Sequence, residues 1–383
     1  MRVLVTSTPG AGHIHPLVPL AAELMTAGHD VVWATAAESC SRVERYGFDA
    51  VAAGMNGDER RRLFVARVPD LSVLPVRERR KEVLPVLFGE IAASTMRDDL
   101  VGIVDDLEPD VIVHDLLEFA AAPVAAARGI PHATLAFGGA LPPAVLAAAA
   151  ESVAEVWTAE GLMASDSAGL YDHLYLHPLP ARLGGTLASS VVRSVRPIHF
   201  DGATGNDAPD WISSFGRDRP GVYVTFGTEV VRLAPWSEIL DALETTDVDA
   251  VVTLGSDIEA GVLGAVPANV RVEQYVPQTF VLDRAAMVVS HAGSGTLFAA
   301  AARGLPQLCV PVSADQWENA DALTRTGAGL TIELDARDTE SIRNALTRLL
   351  DHRAHANAAR ALADDFAALP HPREHVHTLE ALV

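Results

Sequence analysis

The sequence predicts an α/β protein built from two doubly wound parallel sheets that face one another across a cleft. Three observations predict it. A β-branched strand, a glycine-rich turn, a helix and a second strand follow one another within the first 35 residues, and that βαβ order requires a parallel sheet with helices on its faces. The same alternation of short apolar runs and helical periodicity starts afresh after residue 220. At 383 residues, and roughly 150 residues per domain, the chain has room for two domains.

Residues 2–7 read as the first strand, followed by the turn Pro9-Gly10-Ala11-Gly12. Leu17, Leu20, Ala21 and Leu24 then recur at i, i+3, i+4 and i+7, with Gly28 placed to end that helix. Residues 31–35, 110–114 and 132–136 read as further strands, and the Ala-rich residues 119–128 as a helix between the last two. Residues 200–220 turn polar and rich in Gly, Pro and Asp, the composition of a linker. The second series has strands at 222–226, 250–254, 270–274, 287–290 and 307–310, with Ile342, Leu346, Leu349 and Leu350 on one face of a late helix. The expected division is a first domain over 1–199, a linker over 200–220, a second domain over 221–367 and a final short helix within 368–383.

Composition excludes several function classes. With 29 Lys+Arg against 50 Asp+Glu the formal charge is −21, which repels nucleic acid. No run approaches the roughly 18 apolar residues that cross a bilayer, and residues 1–5 lack a signal peptide's architecture, so a cytoplasmic protein without membrane insertion is expected. Cys40 and Cys309 belong to no CxxC or Cys/His cluster, which removes support for structural zinc, disulfide scaffolding and redox catalysis, and both are expected to be buried. Lys81 is the only lysine.

Open α/β sheets bind ligands beyond the carboxyl ends of their strands. After the first strand, Gly10-x-Gly12 lacks the third glycine of a dinucleotide fingerprint, because residue 15 is His15, and the second strand ends at Trp33-Ala34-Thr35 without an acidic residue. The turn presents His13 instead. Placed where strand gives way to helix, His13 is expected to feel the positive end of the helix dipole and stay available as a base; the alternative is a histidine that caps or packs. Asp115 follows the strand 111–114 on the same edge, either as the carboxylate that orients His13 or as a helix N-cap.

In the second half, Ser290-His291-Ala292-Gly293-Ser294-Gly295-Thr296 ends a strand and opens an apolar helix. Small residues admit a ligand to the backbone, while helix-start amides and hydroxyls suit phosphate oxygens. No Lys or Arg lies between Arg284 and Arg303, so an anion here is held by neutral groups. Tyr275-Val276-Pro277-Gln278 offers an aromatic face and an amide, Asp315-Gln316 a carboxylate and an amide suited to sugar hydroxyls, and Thr225-Phe226-Gly227-Thr228 a third small-residue turn.

In order and spacing from residue 2 to about 325, GHIHP, FGT, YVPQ, HAGSGT and DQ resemble the family 1 nucleotide-sugar glycosyltransferases of the two-Rossmann-domain (GT-B) type, in particular the actinobacterial enzymes that glycosylate antibiotics and other natural products. The resemblance implies that His13 is the general base and Asp115 its partner. It implies that Tyr275, Val276 and Gln278 contact the nucleobase, that Thr228, His291, Gly293, Ser294, Gly295 and Thr296 contact the pyrophosphate, and that Asp315 and Gln316 hold the donor sugar. It also implies that the C-terminal helix returns to the first domain. Two departures matter: Tyr275 stands where the family often has Trp, and Ala299 stands where plant relatives carry a ribose-binding glutamate. The second favours a TDP-sugar, whose deoxyribose lacks the 2′-hydroxyl, over a UDP-sugar.

The expected activity is therefore an inverting sugar transfer to a hydroxyl of a small natural-product acceptor, with the nucleotide sugar as co-substrate, no further cofactor and no metal, by a monomer or homodimer. A UDP-sugar transferase acting on a lipid or cell-wall precursor, and a non-catalytic nucleotide-sugar-binding scaffold, are the alternatives. Asp247-Val248-Asp249 has the DxD form of a metal-binding triplet but precedes its strand and reads as a solvated turn. The acceptor is expected against residues 53–87 and 136–175. Arg60, Arg61, Arg62, Arg67, Arg77, Arg79 and Arg80 there read as a solvated face, and Trp157 as core.

Overall fold

The computed structural model describes residues 1–383 apart from 69–70, 72, 188, 204–207, 228–229 and 256–259. The chain divides into two compact units: Met1–Leu179, Gly185–Phe200 and Leu369–Val383 form the first, and Pro180–Gly184 with Asp201–Ala368 the second.

The first unit holds seven strands: β1 (Arg2–Thr6), β2 (Asp30–Thr35), β3 (Asp49–Ala52), β4 (Val111–Asp115), β5 (His132–Leu135), β6 (Leu174–His177) and β7 (Val192–Ser194). They are ordered β3-β2-β1-β4-β5-β6-β7, with every pairing parallel. Val3, Val5, Trp33, Val111 and Val113 enter one core and Leu4, Ala34 and Ile112 another, the two-sided burial a parallel sheet demands. The helix expected after the first turn is broken in two, Ala11–Ile14 and Val18–Thr26, because Pro16 has no N–H with which to continue the ladder. Gly28, at φ +86°, ends the second piece.

The second unit holds β8 (Gly221–Thr225), β9 (Asp249–Thr253), β10 (Val270–Glu273), β11 (Met287–Ser290), β12 (Gln307–Cys309) and β13 (Gly329–Thr331), ordered β10-β9-β8-β11-β12-β13 and again parallel throughout. Val222, Val224 and Val252 pack on one side with Ile342, Leu346 and Leu349, and Tyr223 and Val251 on the other. Strand order reverses between β1 and β4 and between β8 and β11, so each sheet has one switch point at which a ligand crevice opens.

Residues read as a linker carry structure: a short turn of helix spans Asp210–Ser213, and Ile212 and Phe215 are buried beside Val276 and Leu282. The last helix, Glu374–Glu380, belongs to the first unit, where Val376 and Leu379 are buried with Val3 and Leu24. Cys309 is buried as expected, but Cys40 is half-exposed; both thiols are free. Trp157 is core. Among the described residues no helix is long and apolar enough to cross a membrane.

Candidate active site

In the first unit, the β1–β4 register sets Thr6 opposite His114 and so brings the turn after β1 against the end of β4. Asp115, fully buried, accepts the Thr8 N–H at 2.8 Å and the Leu117 N–H at 2.7 Å, and its Oδ1 lies 3.3 Å from His13 Nδ1. Burial alone pushes this carboxyl up, but the neighbouring imidazole and the two amides together hold it below the usual carboxylate range. A carboxylate at Nδ1 calls for the proton there, which leaves Nε2 as the acceptor nitrogen.

His13 does not sit at the positive end of a helix dipole, contrary to expectation. Its helix has only four residues and His13 lies in its last turn, too short and too late to present a positive end. The ring is set instead by Asp115 and by two phenylalanines, Phe137 at 4.9 Å and Phe88 at 5.6 Å between centroids. Gly10 makes the approach possible with φ +115°, a backbone only glycine adopts freely. Asp115 is not a helix N-cap either, since the next helix starts at Ala121. Glu118 caps it: Oε1 accepts from Ala120 N (2.7 Å) and Ala121 N (3.3 Å), and Oε2 from Thr6 Oγ1 (2.5 Å). Burial pushes Glu118 up to about 7.

In the second unit, three turns converge within one hydrogen-bond network. Gln278 Nε2 donates to Thr296 Oγ1 at 3.2 Å, joining the YVPQ turn to the helix Ser294–Ala301, whose N-cap is Gly293. Ser294 Oγ donates to Asp315 Oδ2 at 3.1 Å, joining that helix start to the turn after β12. Asn319, which the sequence reading missed, ties both together by donating to Ala292 O, Ser294 Oγ and Asp315 Oδ2 at 3.0, 3.1 and 3.1 Å. Its signal was available, because it sits one helical turn after Asp315.

His291 lies beneath this helix start. Burial lowers it to about 4, against the opposing pull of Asp315 and the Thr225 carbonyl, so it is a neutral donor at physiological pH. Gly293 leaves room for it: a Cβ there would fall 2.3 Å from Nε2. Ala292 takes a left-handed φ of 63° to turn the chain into the helix. Gly295 lies exposed in the first helical turn, open for a close approach. Tyr275 is exposed and its hydroxyl donates to Asp201 O at 3.2 Å; Asp201 Oδ2 also accepts the Thr279 N–H and hydroxyl, both at 2.9 Å. Asp201, hidden in the stretch read as linker, thus braces the turn. Val276 turns its side chain into the core. Gln316 is buried, its Oε1 accepting Val312 N (2.8 Å) and Ser313 N (2.9 Å), so its amide holds its own turn. Thr228 lies outside the described residues.

Asp247 is exposed in a bend ahead of the strand, as expected, while Val248 is buried and Asp249 opens β9 at the edge remote from these turns, where Arg219 binds its carboxylate. Among the described residues no group of three or more His, Cys, Asp or Glu could hold a metal ion.

Residues 22–153 match the N-terminal domain, and residues 237–382 the C-terminal domain, of the erythromycin biosynthesis protein CIII-like family. The chain belongs to this family. It is a glycosyltransferase of the natural-product, GT-B type. It is 32% identical over 97% of its length, and 96% of the relative's, to an L-demethylnoviosyl transferase of Streptomyces niveus. It is 29% identical over 100% of its length, and 96% of the relative's, to an aclacinomycin-T 2-deoxy-L-fucose transferase of Streptomyces galilaeus. Its fold matches the Streptomyces sp. SF2575 glycosyltransferase SsfS6, crystallised with thymidine diphosphate, with a TM-score of 0.82, 26% identity and coverage of 100% of this glycosyltransferase and 99% of SsfS6.

Proposed function

We propose that this glycosyltransferase moves a sugar from a nucleoside diphosphate, thymidine in preference to uridine, to a hydroxyl of a small natural-product acceptor, with inversion and without a divalent cation. The observation that carries the reading is the contact of His13 Nδ1 with a buried carboxylate that two backbone amides already fix. A ring so held keeps Nε2 free to take the acceptor proton as the acceptor oxygen attacks the anomeric carbon and the sugar–phosphate bond breaks, and Asp115 stabilises the imidazolium that results.

The second unit holds the donor. Its Tyr275 ring supports the base, and Asp315 serves the sugar hydroxyls, while Gln316, expected to join it, holds the turn that presents Asp315. His291, Thr228, the Ser294 and Thr296 hydroxyls and the amides after Gly293 meet the charge that grows on the departing diphosphate, a set of preorganised neutral donors. Ala299 is buried in the core and offers no acceptor to a ribose 2′-hydroxyl, which supports the thymidine donor, as does the ligand of SsfS6. The seating of Asp249 on Arg219 supports transfer without metal.

Incubation with a TDP-sugar and a panel of hydroxylated natural products in EDTA tests this. Expected are released TDP and a glycoside whose anomeric configuration, read by NMR, is opposite to the donor's. Donor binding without turnover, retention of configuration, or loss of activity in EDTA contradicts the corresponding part.

A further inference from the structure

Tyr223 stands at the centre of β8 and is fully buried. Its ring packs among Val251, Val276, Leu282 and Val288, none of which can satisfy a phenolic hydroxyl. The hydroxyl finds its partners at the carboxyl edge of the sheet. It meets Thr253 Oγ1 at 3.1 Å, and Thr225 and Gln278 also hydrogen-bond it. The register explains the meeting: Tyr223 pairs with Val251 and Thr225 with Thr253, so both threonines lie two residues further along, on the same face as the tyrosine. Burial pushes the Tyr223 hydroxyl above the usual tyrosine range, so it stays protonated and can donate.

From that point the network reaches three of the turns assigned to the donor. Thr225 Oγ1 accepts the Gly227 N–H at 3.4 Å, in the turn after β8. Gln278 ends the YVPQ turn, and its Nε2 donates to Thr296 Oγ1 at 3.2 Å, in the helix that starts at Ser294. The half-buried Gln278 side chain is therefore gripped from two sides, by Thr296 and by Tyr223. Glutamine is among the side chains that lose most rotamer freedom when ordered, and ordering it before a ligand arrives removes that cost from binding. With 1% of its surface exposed, Tyr223 does not reach a ligand itself; its effect passes through Gln278.

We propose that Tyr223 is a positioning residue for the donor, its hydroxyl presetting the Gln278 amide for the nucleobase. The proposal rests on the reading of the second unit as the donor site, with the YVPQ turn at the base, and adds the group that orders that turn from below. Tyr223→Phe removes the hydroxyl and keeps the ring that fills the core. Calorimetry with TDP and with inorganic pyrophosphate, on wild type, Tyr223→Phe, Gln278→Ala and the double variant, tests it. TDP binding should weaken between about twofold and tenfold in Tyr223→Phe, the effect of one hydrogen bond, with pyrophosphate binding unchanged. The KM for a TDP-sugar should rise by the same factor at constant kcat. In the Gln278→Ala background the Tyr223 substitution should have no further effect on TDP, because the amide it presets is gone.

Unchanged TDP affinity in Tyr223→Phe overturns the proposal. So does a loss shared equally by pyrophosphate, or one that persists in full when Gln278 is replaced, since a role in packing alone acts through neither the base nor the amide. The two readings fail separately. Wild type that binds pyrophosphate as tightly as TDP contradicts the YVPQ turn as base site, and this proposal with it; TDP bound more tightly than pyrophosphate, and equally by wild type and Tyr223→Phe, contradicts this proposal alone.

Discussion

Gly293→Ala places a methyl group where the structure has no room for one. Its Cβ would fall 2.3 Å from Nε2, 3.0 Å from Cε1 and 3.1 Å from Cδ2 of His291. Ordinary contact begins at 3.4 Å, so in this close-packed setting the imidazole must retreat by about 1 Å. Phe226, whose ring lies 6.2 Å from the imidazole between centroids, limits that retreat on one side. Misplacing a group that holds the reacting substrate by about 1 Å costs on the order of 100-fold, and the overpacking itself about 1–3 kcal/mol of stability. Steady-state kinetics with a TDP-sugar should show kcat/KM reduced on the order of 100-fold, and calorimetry weaker TDP binding. Gly102→Ala, in the helix Ser94–Leu107 with nothing near its Cβ, is the control: unchanged activity and a gain of up to about 1 kcal/mol. Wild-type TDP affinity and turnover in Gly293→Ala would mean that His291 does not hold the diphosphate.

Three further outcomes follow from other contacts. Burial lowers His114 from 6.5 to about 4, so its contribution to stability is full above pH 6.5 and is lost as pH falls toward 4. Glu118, raised from 4.5 to about 7, acts oppositely: its contribution is full below pH 4.5 and is lost as pH rises through 7. Each is worth about 3 kcal/mol. Glu118→Gln should therefore lose about 3 kcal/mol more than wild type on acidification from pH 7 to 4.5, read from urea midpoints; parallel profiles contradict this. Glu108→Gly relieves an exposed left-handed residue, φ 46°, at the end of a helix; thermal melts should show a gain of about 1 kcal/mol with activity unchanged. Asp201→Ala removes the oxygen that accepts both the Thr279 N–H and its hydroxyl and should raise the donor KM about tenfold with kcat unchanged; a change confined to kcat would place Asp201 elsewhere in the reaction.

Legibility in the sequence followed burial. Central strands such as β1, β4, β8 and β11 are continuous apolar runs because both faces are covered, and their ends carried the motifs at both switch points. The strands β3, β6, β7 and β13 escaped because DAVA, LYLH, VRS and GLT carry no β-branched apolar run, unlike the equally short MVVS of β11. The π-helix Pro85–Ala93 escaped because its repeat is not the 3.6 of an α-helix, and Arg60, whose guanidinium lies over the Phe88 ring, because its helix Gly57–Arg67 buries no apolar face. Residue types at the site were legible, but their partners were not. That Asp201 braces Tyr275, that Gln316 spends its amide on its own turn, and that Glu118 rather than Asp115 caps a helix depend on tertiary approach, which sequence spacing does not encode.

The sharpest measurement pairs turnover with donor affinity in His13→Ala. If the first unit supplies the base and the second holds the sugar diphosphate through neutral groups, turnover on a hydroxyl acceptor falls by about 10²–10⁴ while calorimetric TDP binding matches wild type. Turnover within tenfold of wild type, or TDP binding lost together with it, contradicts that division of labour.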